Sequence, residues 1–219
     1  MESLSGQLEA FKDGVAARMA PERLAVMETS TTALRATGIE GAALKPGGQA
    51  PDIALDDALG RSVRLSDLWR RGPLVIVFYR GGWCPYCNLT LRAWQHRLPE
   101  IANRGASLVA ISPQSPDNTL DTAEKNTLAF PVLSDSTLEA ARAFGIAFDL
   151  PPDLVELYKG FGNDLPVRNG NGRWALPVPA TFVIGRDGRI AFAHVEADYR
   201  QRAEPDDVLR VVDRLRGMG

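Results

Sequence analysis

The sequence predicts an α/β fold in which helices cover both faces of a mixed β-sheet. Three observations lead to this prediction. Residues 74–79 form a continuous apolar run, which is typical of a strand buried in the middle of a sheet. Helical and strand patterns alternate after this run, as they do when helices connect parallel strands. The chain closes with an amphipathic helix over Pro205–Arg216, whose apolar residues share one face.

The order of the elements follows from local patterns. A hairpin over residues 53–65 turns at Gly60, and the buried strand at 74–79 leads directly into a helix over residues 85–98. The remaining predicted elements are strands at 107–111, 132–133, 181–184 and 190–193, and helices at 118–126 and 137–144. The last two strands are expected to pair through a tight turn.

Residues 1–45 are predicted to form a helical extension ahead of the main domain. Apolar residues such as Leu8 and Val15 recur at helical spacing, and Pro21 divides the segment into two helices.

The main domain is predicted to cover residues 46–219. Gly47 and Gly48 mark a hinge at its beginning. Residues from about 149 to 176 break the strand and helix alternation, so we expect an insertion there with one short helix near residues 154–159.

Charge and hydropathy exclude several classes of function. The net charge is −2, so no strong field attracts nucleic acid or an anionic membrane. The longest apolar run is far too short to cross a membrane, and the N-terminus lacks the basic and apolar regions of a secretory signal. We therefore expect a soluble cytoplasmic protein. In that reducing compartment, two lone cysteines are more often catalytic than structural.

The only two cysteines, Cys84 and Cys87, form a Cys-x-x-Cys motif between the predicted buried strand and its helix. This position places two sulfurs one turn apart at the N-terminus of a helix, where a thiolate is stabilised. Arg80 is close enough in sequence to stabilise that thiolate, and Trp83 is expected to pack beside the site. The motif therefore predicts a catalytic redox dithiol.

A metal or haem role for the motif is not supported by the rest of the sequence. A structural zinc site needs a second pair of ligands, and His96 and His194 are the only histidines. Asn88 follows Cys87 where c-type haem attachment requires histidine. We expect neither a metal nor another cofactor.

Five segments around and beyond the motif resemble the peroxiredoxin (alkyl hydroperoxide reductase/thiol-specific antioxidant) family. They are Pro51-Asp-Ile-Ala-Leu55, Phe78-Tyr-Arg-Gly-Gly-Trp-Cys-Pro-Tyr-Cys87, Ile111-Ser-Pro-Gln-Ser115, Phe130-Pro-Val-Leu-Ser-Asp135 and Ala140-Ala-Arg-Ala-Phe-Gly145. The likeness covers roughly residues 46–215 and is closest to the subgroup that carries Cys-x-x-Cys.

This resemblance implies a thioredoxin-like fold and a thiol-dependent peroxidase. The expected substrate is hydrogen peroxide or an organic hydroperoxide, reduced through a disulfide between Cys84 and Cys87. Thioredoxin or a similar thiol donor is expected to recycle the pair.

The resemblance leaves the order of attack open. In the peroxiredoxin register, the signature threonine falls on Cys84, the peroxidatic cysteine on Cys87 and the signature proline on Arg80. In a thioredoxin-like site, by contrast, the first cysteine is the exposed attacker. Cys84 is slightly favoured as the first nucleophile.

Where peroxiredoxins usually have a late arginine, this chain has Pro179, which is similar to the cis-proline of thioredoxins. We expect a cis-proline that faces the dithiol and leaves the backbone of Val178 free to pair with a substrate. Arg80, Trp83, Val178 and Pro179 are therefore the predicted substrate-binding residues. Residues 198–202 are expected to form a solvated turn, with a substrate groove as the alternative.

Two other functions fit the same motif. One is a thioredoxin-like protein disulfide reductase, indicated by Cys84 and Pro179 at the positions of threonine and arginine. The other is a redox-sensing module in which residues 1–38 bind a partner. If that segment packs across a twofold axis, the protein is a homodimer.

Overall fold

In the computed structural model, the centre of the sheet is the strand Leu74–Phe78 (β3), which is buried along its whole length. It pairs in parallel with Ser107–Ser112 (β4) and antiparallel with Ala180–Ile184 (β8). Val77 lies opposite Ala110 in the parallel pair. The continuous apolar run is explained by this central place, because both faces of the strand are covered.

The structure describes residues 2–217 and contains one large and one small sheet. The other strands are β1 Ala54–Asp57, β2 Ser62–Arg64, β5 Val132–Ser134, β6 Ala147–Asp149, β7 Ala175–Pro177 and β9 Ile190–Val195. The helices are α1 Leu4–Ala16, α2 Pro21–Ala36, α3 Ile39–Ala42, α4 Leu65–Trp69, α5 Pro85–Asn103, α6 Pro116–Lys125, α7 Glu139–Ala143, α8 Pro152–Gly160, α9 Leu165–Asn169 and α10 Pro205–Arg216. The seven-stranded sheet has the order β2-β1-β5-β4-β3-β8-β9, and β6 pairs with β7. The predicted mixed α/β architecture is confirmed.

The side chains of β3 alternate between two hydrophobic cores, one on each face of the sheet. Leu74, Ile76 and Phe78 belong to the first core, and Val75 and Val77 belong to the second. Helices α3, α4 and α7 supply residues to the first core, while α1, α5 and α10 supply residues to the second. Helices therefore cover both faces of the sheet, as the sequence predicts.

The helix that follows β3 is longer than the sequence predicts. The predicted helix ends at residue 98, but α5 continues to Asn103 and contains Pro99. A proline inside a helix removes one backbone hydrogen bond and strains the preceding turn. Trp94 before the proline and Ile101 after it are both fully buried in the second core. The packing of these two side chains therefore outweighs the free-energy cost of a proline within the helix.

Residues 149–176 contain two helices instead of the one that is expected. Helix α8 covers the predicted position at 154–159, and α9 is additional. With five residues, α9 is too short to show a helical period in the sequence. Strands β6 and β7 pair at the base of the segment. Its small core consists of Leu150, Leu154, Tyr158, Leu165 and Leu176.

The described part of the N-terminal extension forms the two predicted helices, α1 and α2, separated ahead of Pro21 as expected, and the short additional helix α3. Leu4 and Leu8 of α1 are buried in the second core. The carboxylate of Glu204 accepts hydrogen bonds from the backbone N–H groups of Leu4 at 3.2 Å and Ser5 at 2.5 Å. A carboxylate at the N-terminus of a helix accepts hydrogen bonds from N–H groups that have no partner within the helix. It also interacts favourably with the positive end of the helix dipole. The start of the chain is thus attached to the residue that precedes α10.

None of the helices within residues 2–217 combines the length and the apolar character needed to cross a membrane.

Replacing Leu8 with alanine tests whether α1 is part of the folded core. Because Leu8 is 3% exposed, the truncation leaves a cavity, and we expect the free energy of unfolding to fall by about 2–4 kcal/mol. Urea denaturation measures this change. Leu59→Ala is the matched control, since Leu59 is 66% exposed and should be close to neutral. Equal effects of the two substitutions would contradict the packing of α1.

Candidate active site

Cys84 and Cys87 lie where β3 is followed by α5. Cys84 is the N-cap residue, with extended backbone angles (φ −91°, ψ 115°), and Pro85 is the first helical residue. Cys87 is therefore in the first turn of the helix. Both thiols are free, and neither cysteine has solvent-accessible surface. The positive end of the helix dipole favours a thiolate at this position.

The loop between β3 and Cys84 is held by polar contacts from α5 and from Gln114, which lies just ahead of α6. The backbone N–H of Gly82 donates to the side-chain oxygen of Gln114 at 2.8 Å, and the amide of Asn88 donates to the Gly82 carbonyl at 2.8 Å. Thr122 donates to the same oxygen of Gln114 at 3.1 Å. A Cβ at position 82 would overlap the Thr122 hydroxyl. Only glycine therefore fits where the loop meets α6.

The guanidinium of Arg80 lies against the sulfur of Cys84. Its Nη2 donates to Cys84 Sγ at 3.0 Å, and its Nη1 donates to the hydroxyl of Tyr158 at 2.7 Å. Arg80 is only 5% exposed, and no carboxylate within residues 2–217 pairs with it. A buried cation is costly unless a negative group is close. The sulfur of Cys84 is the group that can provide that charge.

The two thiols differ in acidity. Burial alone would raise the pKa of Cys84, but a hydrogen bond from the Cys87 thiol and the charges of Arg80 and Arg202 hold that pKa well below its usual value. Burial raises the pKa of Cys87 well above its usual value, and its hydrogen bond to Cys84 and the negative charge there add to the effect. These directions favour a thiolate at Cys84 and a neutral thiol at Cys87.

Aromatic rings enclose Arg80 on the sides that do not face the sulfur. The guanidinium carbon lies 3.9 Å from the ring centre of Tyr199 and 5.3 Å from that of Trp83. Tyr158 packs edge-on against Trp83 with ring centres 5.4 Å apart. Such rings attract a cation through their electron-rich faces, most strongly where water is excluded. They keep the charge of Arg80 directed at Cys84.

The sequence does not predict Tyr158 at the site, and it predicts Tyr199 and Arg202 there only under the groove alternative. Residues 198–202 are not the solvated turn that is expected, because Tyr199 packs on Arg80 and Nη2 of Arg202 lies 3.9 Å from Cys87 Sγ. An aromatic residue and two arginines within five positions are the signal that supports the groove alternative. Tyr158 comes from α8, and nothing in the sequence connects it to the dithiol.

The predicted roles of Val178 and Pro179 need two corrections. No peptide bond within residues 2–217 is cis, so the cis-proline expected at Pro179 is wrong. The backbone N–H of Val178 is not free, because it donates to the Ile146 carbonyl at 2.8 Å. The insertion accounts for this bond, since it brings Ile146 and β6 beside β7. Both residues do line a cavity of about 200 Å³ that also reaches Arg80.

The N-terminal helices lie over the site. The ring of Phe11 in α1 packs edge-on against Tyr86, with centres 5.0 Å apart. Glu28 in α2 forms an ion pair with Arg200, beside Tyr199. A cavity of about 230 Å³ separates these helices from Cys84. The sequence gives no sign of this cover, because the amphipathic pattern of α1 does not specify the surface that it contacts.

A model of the AhpC/TSA family matches residues 46–193, which is more than half of the chain. The chain belongs to the AhpC/TSA family. Among curated relatives, peroxiredoxin Bcp of Escherichia coli is 32% identical over 167 residues, covering 76% of this chain and 94% of that protein. The thiol-disulfide oxidoreductase ResA of Geobacillus thermodenitrificans is 26% identical over 152 residues, covering 69% of this chain and 70% of that protein.

Solved structures agree with the family assignment. Peroxidoxin BcpB from Mycobacterium tuberculosis superposes with a TM-score of 0.62 at 25% identity, covering 78% of this chain and 97% of that one. The predicted thioredoxin-like fold is confirmed. This AhpC/TSA protein is a thiol-dependent peroxidase, as the sequence resemblance implies.

The low pKa of Cys84 predicts how its thiolate responds to acid. The thiolate is protonated only as the pH falls through the folded pKa, so its ultraviolet absorbance should persist far below the ordinary cysteine range of about 8–9. Arg80→Met removes the neighbouring charge and should move the loss of absorbance to higher pH. Arg61→Met is the matched control, because the side chain of Arg61 is 72% exposed. Identical titrations for native protein and Arg80→Met would contradict the assignment.

Gly82 offers a test of the loop geometry. Gly82→Ala forces the loop away from Thr122, and we expect it to lower the free energy of unfolding by about 1–3 kcal/mol. Gly41→Ala is the control, because a Cβ there would meet nothing within 4 Å, and it should be neutral or slightly stabilising. Chemical denaturation of both variants gives the comparison, and a neutral Gly82→Ala would show that the loop is not confined.

Proposed function

We propose that Cys84 is the peroxidatic cysteine and Cys87 the resolving cysteine. The observation that supports this assignment is the contact of 3.0 Å between Arg80 Nη2 and Cys84 Sγ. The matching contact at Cys87 is weaker, since Arg202 Nη2 lies at 3.9 Å. The peroxiredoxin register assigns the opposite roles, but reactivity follows the thiolate, and the electrostatics of this site favour a thiolate at Cys84.

The reaction would proceed in two steps on these sulfurs. The Cys84 thiolate attacks the terminal oxygen of the hydroperoxide, the O–O bond breaks, and the sulfur is oxidised to a sulfenic acid. The leaving alkoxide or hydroxide takes a proton and departs as alcohol or water. The Cys87 thiol then attacks the sulfenic sulfur, which forms the disulfide and releases water.

Arg80 would support the first step in two ways. It keeps Cys84 ionised, and its donors lie where negative charge moves from the sulfur to the departing oxygen. The aromatic rings of Trp83 and Tyr199 confine the guanidinium and exclude water, which strengthens its field at the sulfur. We assign Arg80 and Trp83 to the substrate-contacting part of the site, with Val178 and Pro179 at its far side.

Recycling would use thioredoxin or a similar dithiol donor, which exchanges its thiols for the Cys84–Cys87 disulfide. Such a donor must reach a buried sulfur, so the cover formed by α1 and α2 would have to move during recycling. A reducing compartment such as the cytoplasm suits this cycle, because the donor must stay reduced there.

A protein disulfide reductase is the second candidate. The likeness to ResA and the N-cap position of Cys84 favour it. Two features favour a small substrate instead: neither sulfur is accessible to a protein disulfide, and the backbone N–H of Val178 is already bonded to Ile146. Reduction of insulin in the presence of a competent reductase, faster than peroxide turnover, would establish the second candidate.

A homodimer, a partner-binding role for residues 1–38 and the domain boundary near residue 45 remain predictions. The buried contacts of Leu4 and Leu8 lie within one chain and so do not require a second copy. Sedimentation of the native reduced and oxidised protein tests both the dimer and any change of assembly on oxidation.

Single cysteine variants test the proposed roles. Cys84→Ser should react with hydrogen peroxide no faster than a free thiol, because the remaining Cys87 has a raised pKa. Cys87→Ser should still form a sulfenic acid at Cys84, which a dimedone probe traps, but it should not turn over with a thiol donor. Stopped-flow tryptophan fluorescence and mass spectrometry measure the two steps.

The opposite pattern would reverse the assignment. Rapid sulfenylation of Cys87 in the Cys84→Ser variant would make Cys87 the peroxidatic residue, in agreement with the family register. Native protein that reacts with peroxides only at the rate of the double variant Cys84→Ser/Cys87→Ser would overturn the peroxidase function itself.

A further inference from the structure

The cavity beside Cys84 is lined mainly by apolar side chains. Its volume is about 230 Å³, which is several times the roughly 30 Å³ that one water molecule occupies in the liquid. Its walls consist of Phe11, Val15, Met19, Met27, Arg80, Trp83, Cys84, Pro85, Tyr86, Tyr158, Phe161, Asn163 and Tyr199. Arg80 is the one charged residue in this lining, and its two outer nitrogens are engaged by Cys84 and Tyr158.

Such a cavity matches an organic group better than hydrogen peroxide. A small polar molecule gains nothing from apolar walls, because they offer it no hydrogen bonds in exchange for those of water. An alkyl or aryl group gains free energy in proportion to the apolar area that it buries. Since Cys84 is among the residues that line the cavity, an organic group held there would place its hydroperoxide beside that sulfur.

The part of the wall opposite the dithiol comes from the N-terminal segment. Phe11 and Val15 belong to α1, Met19 to the connection, and Met27 to α2. All four precede the residues that match the AhpC/TSA family, which begin at residue 46. This wall is therefore added by the extension of this chain and is not supplied by the matched part of the fold.

Met27 contributes to the lining of two neighbouring cavities. It lines both the cavity at Cys84 and the neighbouring cavity of about 200 Å³, and the two also share Arg80, Tyr158 and Tyr199. The side chain of Met27 is half-buried. A thioether is flexible and polarisable, so it adapts to apolar groups of different shape.

We propose that the N-terminal extension determines substrate specificity, and that Met27 is a central specificity residue. Together with the dithiol, the extension forms a binding site that prefers hydroperoxides with a bulky alkyl or aryl group to hydrogen peroxide. This inference rests on the proposed function. The terminal peroxide oxygen goes to Cys84, the O–O bond breaks, and the organic group leaves the cavity as the alcohol after the alkoxide takes a proton.

The test compares cumene hydroperoxide with hydrogen peroxide. Stopped-flow fluorescence gives the second-order rate constant of each with the pre-reduced protein, and their ratio measures specificity. Met27→Gln keeps the length of the side chain but makes its end polar, and we expect the ratio to fall about tenfold. Met27→Leu stays apolar and should retain most of the native ratio.

Val26→Gln is the matched control. Val26 is the neighbouring residue of α2, is also half-buried, and lines neither cavity. The same change there should leave the ratio at its native value. An equal fall in Met27→Gln and Val26→Gln would show general damage to α2 and would overturn the role of Met27.

A binding measurement separates the site from the chemistry. The product alcohol, 2-phenyl-2-propanol, cannot oxidise a thiol, and calorimetry of the full-length Cys84→Ser/Cys87→Ser protein measures its affinity. We expect saturable binding that Met27→Gln weakens and Met27→Leu preserves. Absence of saturable binding would overturn the proposed organic-group site.

The outcomes distinguish this inference from the proposed function. Fast oxidation by hydrogen peroxide with an unchanged ratio in Met27→Gln would leave the peroxidase intact and refute the role of the extension. Oxidation by neither peroxide beyond the free-thiol rate would refute the peroxidase and with it the inference.

Discussion

The active site depends on one buried charge pair, the guanidinium of Arg80 and the sulfur of Cys84. Arg80 has no carboxylate partner within the described part of the chain, and it is enclosed on its remaining sides by aromatic rings. Burial alone would lower the pKa of Arg80, yet the negative sulfur and the phenol oxygens raise it well above its usual value. A guanidinium keeps its charge in any case, so the buried cation needs a negative partner, and an ionised Cys84 supplies one.

Segments far apart in the chain converge on this pair. The loop from β3 to α5 supplies Arg80 and Cys84, the insertion supplies Tyr158, and the turn before α10 supplies Tyr199. The N-terminal helices close the arrangement from outside, since Phe11 packs on Tyr86 and Glu28 binds Arg200. Each segment shields Arg80 and Cys84 from solvent. This shielding strengthens the attraction between the two groups across 3.0 Å, so this one contact strongly affects the reactivity of the Cys84 sulfur.

The sequence was sufficient for those parts of the structure that rest on local patterns. The apolar run of β3, the Pro85 start of α5 and the amphipathic period of α10 each carry their own signal, and they place Arg80, Trp83 and both cysteines together. Pro99 shows where such reasoning fails, because tertiary packing of Trp94 and Ile101 overrides a local rule.

The remaining errors concern contacts between distant segments. Tyr158 reaches Arg80 across 78 positions of the chain, and no spacing in the sequence encodes such a contact. The expected cis-proline at Pro179 and the free backbone of Val178 came from a likeness to thioredoxins. The insertion makes that likeness inapplicable, because Ile146 already accepts the hydrogen bond that a protein substrate would need.

The isolation of Arg80 also bears on the energetics of the oxidised enzyme. Once Cys84 is joined to Cys87, its sulfur carries no charge, and the guanidinium is left buried among aromatic rings without an anion. Since the reduced state alone benefits from the attraction, the proposed disulfide would be a strong oxidant that a donor of modest reducing power can reduce. In the proposed cycle Arg80 would therefore act twice: it would stabilise the nucleophilic thiolate, and it would destabilise the disulfide relative to the dithiol.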